Sequence, residues 1–522
     1  MVLQCIYGGS AEAVAWADFP FWRATTLAKS LRALADLATL LASNVAPSAI
    51  ALIALPIISR LFTPEAVGIW AIFQSLLFIP GTFSTFRYEL AVVVEPRDDD
   101  ANAVVVLVLL LCTSLGIIAT LFAIASALAG LFPIANTLSM PSGFCLGASF
   151  TGIGLFYLGL SIANRTGDFK TMFRARLVYA ITAVAVPIAI APLSRSADLL
   201  VLGTVLGFFA GALPAARHIL QSIRQFKSGS KGWIHIRRVA AENRSFAHFT
   251  APYTLVTQVF GFCVTSMIAV AHGPFVVGQF ALMYRVLNAP ASIAVNSLGQ
   301  YVVRPLVGLS HDRSAATAPI LTTATALLAL TLPAASIATV FAEDAFVLIF
   351  GSPWSLAGQF VGFAAIPMCF HLSINWIDRL FDAWREQRFG FVIGSMGCAV
   401  WLTSLVAAEL VWRSPSATVA GWSTGLILNA GIWLLGALKL TRWRDANLLA
   451  ILGVLVGGIL PPLLVSHLVV NQSLAVQLMA LGLTTAGVYC VLWTMLRPHR
   501  ADLLIWISGP NRRGVTSTRN PA

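Results

Sequence analysis

The sequence is a succession of apolar segments, each about 20 residues long, joined by short polar connections. A helix of that length crosses the hydrocarbon core of a bilayer. Hydrophobic residues make up 58% of the chain and charged residues 10%, against roughly 25% charged residues in soluble globular proteins. These features exclude a water-soluble globular fold and predict an all-α polytopic membrane protein.

Hydropathy predicts about 14 transmembrane helices, arranged as two six-helix lobes followed by two C-terminal helices. The predicted spans are 37–59, 66–86, 102–130, 142–164, 173–193, 197–216, 249–271, 275–297, 316–341, 357–378, 390–412, 416–438, 447–469 and 474–496.

The longest polar connection follows the sixth span and divides the chain. The predicted domains are a cytoplasmic N-terminal arm (1–34), an N-terminal lobe (35–216), a basic cytoplasmic linker (217–248), a C-terminal lobe (249–440), the last two spans (441–496) and a cytoplasmic tail (497–522).

Basic residues are distributed very unequally between the two sides of these spans. Of the 33 Lys and Arg, 29 lie on the side of both termini, which we call the basic side. The opposite side holds only Arg60, Arg195 and Arg413, and Arg285 lies within a span. By the positive-inside rule, both termini are predicted to be cytoplasmic.

An internal repeat links the second and eighth spans. Pro64, Val67, Gly68, Ala71 and Pro80 each recur 210 positions later, as Pro274, Val277, Gly278, Ala281 and Pro290. Repeats six spans apart have the same topology, so the sequence predicts two lobes related by a pseudo-twofold axis along the membrane normal. Pro80 and Pro290, inside their helices, are predicted to act as bends.

Several motifs resemble those of one known family. The stretches Leu55–Trp70 and Arg87–Val92, then Tyr284–Pro290 and Phe350–Gly358, are similar to the bacterial polysaccharide and O-antigen flippases. That family belongs to the superfamily of multidrug, oligosaccharidyl-lipid and polysaccharide exporters.

The resemblance implies alternating access in a cavity between two lobes. It also implies a lipid-linked oligosaccharide of the undecaprenyl-pyrophosphate type as cargo, moved to the periplasmic leaflet for surface polysaccharide biosynthesis. The expected partners are this lipid-linked oligosaccharide, the lipid bilayer, a polysaccharide polymerase and glycosyltransferases.

Arg285 is the strongest candidate for substrate binding. A cation near mid-bilayer costs about 2.5–3.5 kcal/mol, so it must face a cavity or a partner. Its guanidinium matches phosphate oxygens, although a structural pair would also satisfy it. Tyr284 is its neighbour. Arg60 and Arg87, at the ends of the first two spans, are further candidates, unless they simply reach lipid headgroups.

Polar residues inside other spans give weaker candidates. His371 and Asn375 lie one turn apart in the tenth span, and Gln258 and Gln74 lie in the seventh and second. These side chains are suited to hydrogen bonding with sugar hydroxyls, but side chains of this kind more often bond to neighbouring helices.

Other features carry structural interpretations. Asp98–Asp100 is predicted to be a solvated loop rather than a metal site. The predicted interfacial belts contain five tryptophans: Trp70, Trp376, Trp412, Trp443 and Trp493. Gly207 with Gly211, and Gly421 with Gly425, predict close helix contacts. The sequence contains no P-loop and no metal-ligand spacing, so no cofactor, metal or nucleic-acid partner is expected.

Two alternative functions remain open. A cation-coupled small-molecule exporter of the same superfamily would favour buried acidic residues in the N-terminal lobe, and none is evident at mid-span there. A membrane glycan polymerase or ligase typically needs a large outer loop with catalytic acids or bases, whereas the predicted outer connections are short. The sequence therefore predicts a transporter rather than an enzyme.

Overall fold

A computed structural model describes residues 45–129, 140–226, 232–307, 312–384 and 386–441. Within these ranges every regular element is helical, because a single apolar segment in hydrocarbon satisfies its own backbone hydrogen bonds only as a helix. The main helices are α1 (Val45–Leu61), α2 (Pro64–Phe83), α3 (Asp98–Ala129), α4 (Met140–Arg165), α5 (Phe169–Ile190), α6 (Ala197–Ala212), α7 (Ala216–Gln225), α8 (Gly232–Glu242), α9 (Ala251–Val307), α10 (Thr317–Phe350), α11 (Ser355–Ile374), α12 (Gln387–Trp412) and α13 (Pro415–Leu440).

The described helices coincide with the first twelve predicted spans, and the seventh and eighth form the single element α9, interrupted at Gly273 (φ 79°, ψ 174°). Nine helices in these ranges are long and apolar enough to cross a membrane. The thirteenth and fourteenth predicted spans lie outside the described residues. The count of 14, the two-lobe arrangement and the domain limits therefore stay predictions.

The chain divides into two compact units, Met1–Leu282 and Met283–Ala522, with the boundary inside α9. In the first unit a core cluster includes Val104 of α3 and Leu158 of α4. In the second, a cluster on the basic side includes Trp376, Phe381 and Trp384. Each unit thus has its own apolar core.

The repeated glycines form a crossing inside the first unit. A Cβ atom on Gly68 of α2 would lie 1.8 Å from the carbonyl oxygen of Pro274, and one on Gly278 would lie 1.9 Å from that of Pro64. Only glycine fits at either position, because real side chains do not approach backbone atoms so closely. The equivalent positions of the sequence repeat therefore contact each other reciprocally.

The predicted close contacts at other glycines are present. A Cβ atom on Gly207 or Gly211 of α6 would meet Tyr179 of α5, and one on Gly425 of α13 would meet Trp401 of α12. Small residues let helix backbones approach each other closely. Such close packing matters in a membrane because the hydrophobic effect does not drive helices together in lipid.

The basic side of the first unit is held by ion pairs. Arg165, at the end of α4, donates to the carbonyl oxygens of Val92 (2.9 Å) and Glu95 (2.5 Å) and to the Asp98 carboxylate (2.7 Å). These bonds fix the connection between α2 and α3 against α4.

The two linker helices also attach to the first unit. Asp100 accepts from Arg238 of α8 at 2.7 Å and lies 2.6 Å from Nε2 of His235. Asp100 is only 6% exposed. The prediction of a solvated loop is therefore wrong for Asp100, which anchors the linker, whereas Asp98 and Asp99 are exposed. All three residues form the first turn of α3, where acidic side chains favour a helix N-terminus.

The α7 helix is attached through Asp168, which caps α5. Its carboxylate accepts from the Thr171 backbone N–H at 3.0 Å and hydroxyl at 2.7 Å, and lies 3.4 Å from Nε2 of His218. Partial burial raises the pKa of Asp168, but the hydrogen bonds from Thr171 and His218 outweigh it, so its pKa is below the ordinary value. Asp168 therefore stays ionised at neutral pH.

The prediction of an aromatic belt is wrong at Trp70 and Trp376, and the predicted belt residues Trp443 and Trp493 lie outside the described residues. Trp70 is 9% exposed and donates from Nε1 to the hydroxyl of Thr204 on α6 at 2.8 Å. Trp376 is 1% exposed. Trp412 is exposed, as an interfacial residue would be. Trp70 thus joins α2 to α6, and Trp376 lies in the core cluster of the second unit, where its Nε1 donates to the carbonyl oxygen of Ser373 at 2.8 Å.

We expect Gly68→Ala and Gly278→Ala each to lower the free energy of unfolding by about 1–3 kcal/mol, because the added methyl group must displace a backbone carbonyl. Thermal unfolding of the purified protein in detergent measures the effect. Gly261→Ala is the matched control, since a Cβ atom added there would meet no side chain or neighbouring helix within 4 Å. If Gly68→Ala were as stable as Gly261→Ala, the crossing would be contradicted.

Candidate functional site

A charged cluster lies where α2 ends in the first unit. The chain turns back through Phe86 and Arg87, both with left-handed φ angles of 47° and 63°. This turn directs Arg87 toward Glu89, and Nη1 lies 3.2 Å from Oε1. Glu89 is 2% exposed and also accepts from the Thr85 hydroxyl at 2.5 Å. The pair is therefore largely removed from solvent.

Arg87 keeps donor capacity beyond this pair. Its Nε atom is shielded from solvent and has no hydrogen-bond partner among the described residues. Its side chain is still 27% exposed. A guanidinium in this state can donate hydrogen bonds to a further anionic ligand while one nitrogen stays bound to Glu89.

Two more side chains complete the cluster. Tyr157 of α4 is close enough to interact electrostatically with Arg87, Glu89 and Arg176 of α5. Tyr157 lies eight residues before the end of α4 at Arg165, which places it about 12 Å into the helix. It remains 38% exposed. Two guanidinium groups are thus within electrostatic range of one phenol in the first unit.

The neighbouring Tyr88 has a structural role. Its hydroxyl donates to the carbonyl oxygen of Ala240 on α8 at 3.1 Å. Burial raises the pKa of Tyr88, so the phenol stays neutral and keeps its proton for this bond. The turn that carries Arg87 is therefore held by the linker.

The second unit holds a separate group of rings around two predicted residues. Tyr284 of α9 packs edge-on against Trp422, with ring centroids 6.1 Å apart. Trp422 lies 5.7 Å from Trp401, and Trp401 lies 5.6 Å from His371. The structure thus connects Tyr284 with His371 through two tryptophans. Arg285, next to Tyr284, is half-buried.

The other predicted site residues are dispersed. Arg60 and Asn375 are exposed, and Gln74 and Gln258 are half-buried. Pro80 lies in α2 and Pro290 in α9, but their side chains lie outside the described residues, so the predicted bends stay predictions. Within the ranges that the structure describes, no group of His, Cys, Asp or Glu is arranged to hold a metal ion.

Arg176 is a candidate that the sequence pattern did not reveal. It lies seven residues after the start of α5 at Phe169, about 10 Å along the helix, and the positive-inside count simply includes it with the 29 basic residues of the basic side. The signal was present, since the residues that follow it in α5 are apolar.

Comparison with known proteins agrees with this architecture. The sequence model of a family described as polysaccharide biosynthesis protein matches residues 57–358, more than half of the chain. The chain belongs to this family. The predicted relationship to the polysaccharide flippases is therefore confirmed.

Solved structures show the same fold. The lipid II flippase MurJ in an inward closed conformation is similar with a TM-score of 0.64 and 14% identity, over 91% of this chain and 99% of that one. A transporter of the MOP superfamily from Pyrococcus furiosus has a TM-score of 0.50 and 16% identity, over 80% of this chain and 97% of that one. No curated protein matches the chain in sequence. The protein is thus a multi-pass membrane protein with a transporter fold.

We expect Glu89→Gln to lower the free energy of unfolding by about 3 kcal/mol, because it leaves the largely buried Arg87 cation without its counter-charge. Denaturation in detergent, followed by circular dichroism, measures the loss. Glu65→Gln, an exposed change on α2, is expected to stay within about 0.5 kcal/mol. Equal stabilities of the two variants would show that the pair does not support the fold.

Proposed function

We propose that the protein is a flippase for a lipid-linked oligosaccharide of the undecaprenyl-pyrophosphate type. It moves this cargo from the cytoplasmic to the periplasmic leaflet of a bacterial inner membrane by alternating access, with both termini cytoplasmic. The product supplies surface polysaccharide biosynthesis, such as O-antigen of lipopolysaccharide or exopolysaccharide, through glycosyltransferases and a polymerase. Family membership supports the polysaccharide pathway, and the MurJ-like fold supports a lipid flippase.

The observation that carries this proposal is the cluster of Arg87, Arg176 and Tyr157 in the first unit. A pyrophosphate diester offers several oxygens to planar guanidinium forks and to a phenolic donor. The cluster lies about two helical turns from the basic side, at a depth that a headgroup reaches while its polyprenyl tail stays in lipid. Arg285 and the adjoining rings of the second unit are, by themselves, a separate candidate for contact with an anionic oligosaccharide headgroup.

We expect Arg87→Gln and Arg176→Gln each to slow flipping by about tenfold to a hundredfold, because each removes charge-assisted hydrogen bonds worth about 1.5–3 kcal/mol. The measurement uses proteoliposomes that contain an undecaprenyl-pyrophosphate oligosaccharide with a fluorescent sugar. Access of a membrane-impermeant quencher to that sugar reports the leaflet. Arg176→Lys should retain part of the rate, since it keeps the charge but loses the fork.

Arg174→Gln is the matched control, because Arg174 is exposed on the same helix two residues away. Its rate is expected to equal that of the unaltered protein. If both arginine variants of the cluster flip the lipid normally, the cluster does not bind the headgroup. If the unaltered protein moves no such lipid, the flippase proposal itself is wrong.

One observation favours a second candidate, a cation-coupled small-molecule exporter. Glu89 is the kind of buried carboxylate that such coupling uses, although here it pairs with Arg87. This alternative predicts that Glu89→Gln, and not Arg176→Gln, abolishes transport, and that a lipophilic cationic dye is exported at the expense of an ion gradient. Dye efflux from vesicles measured with and without that gradient separates the two candidates.

A further inference from the structure

We propose that the linker helices α7 and α8 form a binding surface for anionic phospholipid headgroups. This surface is distinct from the proposed headgroup cluster of the cargo, and it does not depend on transport.

The first observation is the exposed face of α7 and of the turn before it. Leu213 is 68% exposed and Leu220 is 51% exposed, and Arg217 and Arg224 are exposed as well. These four residues are spaced by four, three and four positions, so they form one stripe along the helix. Leucine and arginine alternate on it, which suits a helix whose side chains enter both the acyl boundary and the phosphate layer.

The length of the helix places this stripe at headgroup level. Residues Ala197–Gln225 form one continuous apolar helical run of 29 residues, which is about 44 Å long. The hydrocarbon core is about 30 Å thick. Roughly the last nine residues, from Arg217 onward, therefore extend beyond the hydrocarbon on the basic side.

The second helix presents a matching face. Ile236 and Val239 of α8 are buried in the core of the first unit, so the opposite face of α8 points away from the protein. On that face Trp233 and Ile234 are each 67% exposed, and Arg237 is exposed beside them. Tryptophan next to arginine is typical of a helix at the membrane interface.

Contacts within the unit hold α8 at that level. Asp100, which binds His235 and Arg238, lies in the first turn of the spanning helix α3. The start of a spanning helix lies near the membrane boundary, so α8 lies there too. Its exposed apolar side chains then meet lipid rather than bulk water.

The charge of the linker identifies the lipid. Residues 217–248 contain seven Lys and Arg and a single acidic residue, Glu242. Arg217 and Arg238 pair with Asp168 and Asp100, whereas Arg224 and Arg237 are exposed on α7 and α8. Basic segments next to a membrane attract anionic lipids, with a gain of about fivefold in association per charge. The surface is therefore complementary to phosphatidylglycerol-type headgroups and not to zwitterionic ones.

The test uses the full-length protein in bilayer discs that contain brominated phosphatidylglycerol or brominated phosphatidylcholine of identical acyl chains. Bromine quenches nearby tryptophans, and the fluorescence of the unaltered protein minus that of Trp233→Phe isolates the Trp233 signal. We expect brominated phosphatidylglycerol to quench this signal at a mole fraction several times lower than brominated phosphatidylcholine does. Trp412→Phe is the matched control, since Trp412 is equally exposed, at 67%, on α12.

The double variant Arg224→Gln/Arg237→Gln should remove most of that preference, because both residues are exposed and the ion pairs to Asp100 and Asp168 are not altered. Arg195→Gln/Arg413→Gln, which removes two exposed arginines from the other side, should leave it unchanged. Equal quenching by both lipids, or a preference that survives Arg224→Gln/Arg237→Gln, would overturn the proposal. A Trp233 signal that neither lipid quenches would also overturn it and would indicate a protein partner on this face.

Discussion

The first unit depends on the reciprocal crossing of Gly68 and Gly278. Each glycine lies against the carbonyl oxygen of the proline that opens the other helix. Two equivalent segments that contact each other in this way form a self-complementary interface, as in a twofold dimer, and the same residue must therefore occupy both copies. This explains in physical terms why proline and glycine recur together after 210 positions.

Close backbone packing alone leaves the ends of apolar helices free to move, and ion pairs on the basic side restrain them. In the first unit Arg165 of α4 binds Asp98 of α3. In the second unit Arg313, just before α10, binds Glu386, just before α12, at 2.9 Å, and its guanidinium lies over the Trp384 ring. In the first unit the arginine comes later in the chain than its acidic partner, and in the second unit it comes earlier. Each unit thus achieves the same restraint with the charges exchanged.

The sequence predicted the positions of the helices well, because length and hydropathy determine them directly. It predicted the surroundings of single side chains less well. Trp70 was assigned to the interface and is buried against Thr204, and Asp100 was assigned to solvent and binds α8. In helices that are apolar all round, periodicity does not reveal which face meets protein. Arg176 was missed for a related reason, because a basic residue near a span end is assigned by default to the loop.

The pairing of Arg87 with Glu89 bears on how a transporter both binds and releases an anion. An isolated buried guanidinium would be costly to keep without a ligand, and it would hold a pyrophosphate too firmly for turnover. Glu89 compensates the cation in the structure, and under the proposed function an arriving headgroup would share the guanidinium with the carboxylate. The binding free energy of the headgroup would then be less favourable than with two arginines and no carboxylate. Conduction and transport sites need such a balance, since the ligand must enter readily and also leave.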